Sequence, residues 1–154
     1  MHGRIDGSEI GAQFLEVRIC KIIRAEKGSA VPPSLPLVEC DIRAVTCNYA
    51  RIAAFYKSVA DEAARYAADV LKSRAEADYL ASEDKRKKYR FKRFRYCVIC
   101  TPRYVSADVV EVTITSSLTK NADVCAAKSC VHTWDLTREL MIPPRYLKSS
   151  SNSL

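Results

Sequence analysis

Residues Tyr49–Ser82 read YARIAAFYKSVADEAARYAADVLKSRAEADYLAS, and the fold turns on this stretch. Ile52, Phe55, Tyr56, Val59, Ala63, Tyr66, Ala67, Val70, Leu71, Ala75, Tyr79 and Leu80 recur at three- and four-residue spacing. Lys57, Asp61, Arg65, Asp69, Lys72 and Glu76 fill the positions between them, the pattern of a helix with one apolar stripe. No Gly or Pro interrupts the run, so one helix is expected from about residue 49 to 82. At 1.5 Å per residue it would be roughly 50 Å long, with one end projecting or bending.

Such a stripe needs a surface to cover, and the flanking segments supply one. Upstream, Leu15, Val17 and Ile19 alternate with Glu16, Arg18 and Cys20, as in a half-buried strand. A second extended segment runs from Leu37 to Ala44, after GSAVPPSLP has broken any regular structure. Downstream, Tyr89–Pro102, Val109–Ser117 and Val124–Trp134 read as three strands joined by the hairpin-length connections VSAD and TKNAD. The expected fold class is α+β, one long amphipathic helix packed on an antiparallel sheet of four or five strands. Residues 1–13 are expected to be a flexible start, 14–147 a single domain and 148–154 a disordered tail.

Between helix and sheet lies EDKRKKYRFKRFRYCVIC, residues 83–100. Eight of the eleven residues from Lys85 to Arg95 are Lys or Arg, and the formal net charge of the chain is +7, so the basic character is local. Cations interleaved with aromatic rings can hold phosphates and stack bases, which makes Lys88, Arg90, Lys92, Arg93 and Arg95 the candidate binding residues. The plainer reading is a charged helix exit followed by the wet face of a strand. Tyr89 and Phe91 are apolar at odd positions, Phe94, Tyr96, Val98 and Cys100 at even ones. That change of phase predicts a bulge or kink near Lys92 and Arg93.

Candidate chemistry is sparse. Cys97 and Cys100 form a Cys-x-x-Cys, and Cys125, Cys130 and His132 would complete a zinc set. Positions three apart on a strand point to opposite faces, so no metal site is expected. The seven cysteines are an odd number and sit in apolar patterns, which favours free thiols over a disulfide framework. Neither His2 nor His132 lies in a nucleophile motif, and three of the four glycines fall within the first eleven residues, leaving no phosphate loop. No catalytic residue, enzyme activity or cofactor is expected. No apolar stretch is long enough to span a membrane and the start lacks a signal-peptide core, so no membrane insertion and a cytoplasmic location are expected.

The order of LPLVECDI, CNYARIAAFYKSVADEAARYAADVL, FKRFRY, two further strands and a closing TWDL resembles the extracytoplasmic domain of RsiV-type anti-sigma factors, over residues 36 to 147. Its most specific pieces are Tyr66-Ala67-Ala68-Asp69-Val70-Leu71 and Thr133-Trp134-Asp135-Leu136. The resemblance implies an α+β fold and a non-enzymatic, protein-binding role, with lysozyme the ligand in RsiV itself. The family continues past TWDL into a region carrying much of the lysozyme contact, for which this sequence has no matching positions, so lysozyme binding is not expected of this chain. The family also has a Gly turn after Trp-Asp-Leu, where Glu139 disfavours a positive φ. The expectation is a protein-binding module with a homodimer through exposed apolar surface as one mode. Binding of nucleic acid or another acidic partner through residues 85–95 is the alternative.

Overall fold

The computed structural model describes residues 13–81 and 91–144. Strands β1 (Phe14–Arg24) and β2 (Pro36–Cys47) are followed by helix α1 (Ala50–Tyr66), a π-helical turn (Ala67–Leu71) and helix α2 (Lys72–Ala81), then by β3 (Phe94–Ser106), β4 (Val109–Lys120), β5 (Asp123–Asp135) and β6 (Leu140–Ile142). α1, the π turn and α2 run on without a break in helical backbone, so the expected long helix forms. No helix among the described residues is long and apolar enough to cross a membrane.

Among the described residues the sheet has six strands in the order β1-β2-β3-β4-β5-β6, where four or five were expected. The added strand is β6, three residues beside a Pro pair and too short to show alternation in sequence. The sheet is also mixed, not antiparallel throughout, because β2 and β3 pair in parallel. A helix between two strands carries the chain back to the starting end of the sheet, and the returning strand then runs with the first.

The helix covers one face through Ile52, Tyr56, Ala60, Ala63, Ala67, Leu71 and Ala75, all buried. Four of the seven are alanine, which lets the helix lie close to β2. The steps are four residues long except for one of three, so at 100° per residue the stripe would drift by roughly 140° along its length. The π turn, bonded i→i+5, winds more slowly and takes up part of that drift. Opposing it on the sheet are Val38, Cys40, Ile42, Val98, Val110 and Val112, also buried.

The predicted bulge near Lys92 and Arg93 is replaced by a strand boundary. β3 starts at Phe94, residues 91–93 carry no regular structure, and Tyr89 lies outside the described residues. The two apolar phases therefore belong to different segments. Phe91 meets Tyr79 edge-on at 5.5 Å between ring centroids, while Phe94 enters the core.

Among the described residues three turns use left-handed backbone without glycine, the first at Ser34 before β2, with φ 67°. The β4–β5 hairpin turns on Asn121 and Ala122, with φ of 53° and 70°. Two consecutive positive φ values match the tight hairpin turn whose twist suits the strands, where Gly is the favoured second residue. Glu139 has φ 54°, so the positive-φ turn forms in spite of its side chain. Its carboxylate compensates by accepting the Arg51 backbone N–H at 2.9 Å, at a helix start whose N-cap, Tyr49, makes no side-chain cap bond.

Replacing Ala122→Gly is expected to raise the unfolding free energy by about 1 kcal/mol, since a left-handed residue with a Cβ costs about that much; a urea titration showing no gain would contradict this turn geometry. Glu139→Ala is expected to lose about 1 kcal/mol with the cap. Glu139→Gly, which loses the cap but relaxes the turn, should lose less in the same measurement.

Candidate functional site

Strands β2 and β3 carry most of the charge on the sheet face turned away from the helix. Glu39 on β2 holds two of the candidate cations, accepting from Arg93 at 2.8 Å on Oε1 and from Arg95 at 2.8 Å on Oε2. The hydrogen bond from Arg93 is the main reason its carboxyl lies below the usual Glu range, though all three side chains keep contact with water. One strand register away, Arg18 and Arg43 sit directly opposite each other and share Asp41, at 3.1 and 3.4 Å. Without that carboxylate the two guanidinium groups would repel across the ladder.

The basic segment is thus divided. Lys92 is exposed and makes no ion pair with another described residue, Arg93 and Arg95 are held on Glu39, and Lys88 and Arg90 lie outside the described residues. Lys92, Arg93 and Arg95 border a shallow hollow of about 270 Å³ with Leu35, Pro36 and Phe91. Glu39 was missed in the sequence because its role depends on parallel pairing of β2 with β3, which places it opposite Arg95.

The cysteines divide as strand geometry requires. Cys100 is buried under the helix and burial lifts its thiol to about 11, whereas Cys97 is half-buried on the far face. All seven are free thiols. No three His, Cys, Asp or Glu side chains converge as metal ligands among the described residues.

A polar chain links the helix start to β5. Trp134 Nε1 donates to Tyr56 Oη at 2.7 Å, and Tyr56 Oη lies 3.4 Å from His132 Nδ1. The hydroxyl accepts from the indole, so its own proton is free to point at the imidazole. Phe55 packs edge-on against His132 and Trp134, each with ring centroids 5.3 Å apart. Burial pushes the Tyr56 phenol up and the His132 imidazole down, so both are held neutral. Their arrangement clamps helix to sheet and leaves His132 engaged in packing.

The sheet has two edges of different character. β1 carries Glu16, Arg18, Lys21 and Arg24, charges that discourage another strand from pairing. β5 pairs with β4 from Asp123 to Asp135 apart from Cys125, but on its other side, among the described residues, it meets β6 only at Thr133–Asp135. From Asp123 to Val131 every residue is exposed, and between Val124 and Val131 the one charge is Lys128. Val124 and Val131 are 67 % and 48 % exposed, far from the burial expected of strand valines.

Small side chains thin the sheet beside this edge. On the helix side a hollow of about 360 Å³ opens between Tyr66, Arg74, Tyr96, Leu118 and Ala126. On the far side another of about 390 Å³ opens over Cys97, Ile99, Ser117, Ala127 and Ser129. A row of outward backbone N–H and C=O groups, flanked above and below by hollows, is the geometry with which an open edge takes up an extended peptide. Alternating polar and small residues such as KSC gave no such signal in the sequence, because edge position is a property of the sheet.

No family model matches the chain, and no curated protein matches it in sequence. Among solved structures, a DUF3298 family member from Bacteroides fragilis covers 84 % of this chain and 58 % of its own, with a TM-score of 0.58 and 9 % identity. A DUF3298 family protein from Pseudomonas aeruginosa covers 84 % of this chain and 54 % of its own, with a TM-score of 0.49 and 10 % identity. The chain thus spans less than two thirds of either structure. The likeness to the B. fragilis protein is one of fold, and DUF3298 is the family that forms RsiV-like domains.

Because His132 is neutral when folded and its value is depressed by burial, the unfolded chain takes up a proton first as pH falls. Stability present above about pH 6.5 should therefore decline as pH drops through the folded value. Urea titrations between pH 7.5 and 5.5 should show this decline in the wild type and lose it in His132→Asn. An equal slope in both would remove His132 as its source.

Proposed function

We propose that this chain is a non-enzymatic protein-binding module that takes up an extended polypeptide segment as a further strand on β5. The observation that carries the reading is the outer edge of β5 from Asp123 to His132, which β4 pairs on its inner side and no described strand pairs on its outer one. Main-chain hydrogen bonds along that edge supply affinity, and the hollows on the two faces receive alternate side chains. The DUF3298 fold and the resemblance to RsiV-type domains, which implies a protein ligand, point the same way. Binding of an acidic partner through residues 85–95 is less favoured, since Arg93 and Arg95 already serve Glu39.

The reading is tested by selecting random phage-displayed dodecapeptides on the immobilised chain. Neighbouring strand residues turn their amides to opposite sides, so of Ala127→Pro and Lys128→Pro one removes an outward donor and the other a bond to β4. The outward variant is recognised by its nearly unchanged thermal midpoint. Selected peptides are expected to bind the wild type and to lose at least tenfold in affinity on that variant. Peptides that bind both equally, or a selection that yields none, would overturn strand addition at β5.

A further inference from the structure

The free edge has the symmetry of a self-pairing site. Its regular part is bounded on one side by a bulge, since Leu118 pairs Ala126 while Thr119 pairs Val124 and leaves Cys125 as the extra residue. On the other side it is bounded by β6, which begins its pairing at Thr133. Ala126–His132 is therefore the stretch available to an added strand, and its central residue is Ser129.

Resting on the strand-addition reading above, we infer that the segment β5 takes up is β5 of a second copy, in an antiparallel pair about a twofold axis at Ser129. A twofold axis normal to the sheet keeps the helices of both copies on one face, and it requires each residue at the axis to meet its own equivalent. Ser129 then faces Ser129 of the second copy, Lys128 faces Cys130, Ala127 faces Val131 and Ala126 faces His132. Each alanine meets a larger side chain, so the rows interlock, and no like charges stand opposite each other. Val131, 48 % exposed in one chain, gains cover over the hollow beside Ala127.

The neighbouring registers are worse on physical grounds. An axis at Lys128 sets two ammonium groups directly opposite each other. An axis at Ala127 brings the Cys125 bulge into the ladder, and one at Cys130 runs the second copy into the place held by β6. With the axis at Ser129 the regular part of the second copy's strand ends at Ala126, before its Cys125 would come opposite Thr133, where β6 begins its pairing.

A ladder this short buries well under the roughly 1,600 Å² of a standard interface, so the dimer should be weak and populate at tens to hundreds of micromolar. Sedimentation velocity over that range is expected to show a concentration-dependent dimer, and Ser129→Arg, which places two like charges at the axis, to weaken it at least tenfold. In a background with the exposed Cys20, Cys125 and Cys130 changed to Ser, Ser129→Cys should form an intermolecular disulfide under mild oxidation. Ala127→Cys, on the same face but offset from its equivalent, should not. A monomer at all concentrations, or cross-linking at Ala127→Cys as fast as at Ser129→Cys, overturns self-pairing at Ser129. If a monomer nonetheless selects edge-dependent peptides, self-pairing alone falls; if it selects none, strand addition falls with it.

Discussion

The structure depends on the helix lying flat along β2 for the whole length of its buried stripe. Leu71, Tyr56 and Ile52 supply bulk, but Ala60, Ala63, Ala67 and Ala75 set the distance, because a small side chain lets the backbone come down onto the sheet. Once that contact is made, the chain leaves the helix at the end where β2 began, and β3 has to run parallel to it. The mixed sheet follows from this crossover, and among the described residues no helix covers the far face.

The same crossover brings two cations of the basic segment onto one carboxylate. Glu39 and Arg95 are far apart in the chain, yet parallel pairing sets them opposite each other, and Arg93 reaches the same carboxylate. Asp41 does the equivalent for Arg18 and Arg43 across the antiparallel β1–β2 pair. These pairs are solvent-exposed, and each contributes little to stability. Their effect is to set cations and carboxylates side by side on the described part of this face.

At the other side of the sheet the balance shifts from charge to backbone. β1 is guarded by four charged side chains, whereas the open part of β5 presents small residues and a single lysine. An edge with so little protection either costs the protein in aggregation or serves a partner. The Cys125 bulge and the short β6 limit its length on both ends, so the surface offered is a defined segment with its own register.

The helix, the strands around it and the alternation of β4 were legible in the sequence, because three-and-four and two-residue periodicities are local consequences of backbone geometry. So was the divergence of Cys97 and Cys100, which needs nothing beyond a strand. The bulge expected at Lys92 and Arg93 was a misreading of a real signal, since a change of apolar phase marks a strand boundary as well as a bulge. Parallel pairing, the role of Glu39, the clamp of Tyr56 between Trp134 and His132, and the open edge of β5 were decided by the tertiary structure alone. They depend on which residues meet across the sheet, and that information resides in the packing of the helix on β2, far along the chain from most of the side chains it brings together.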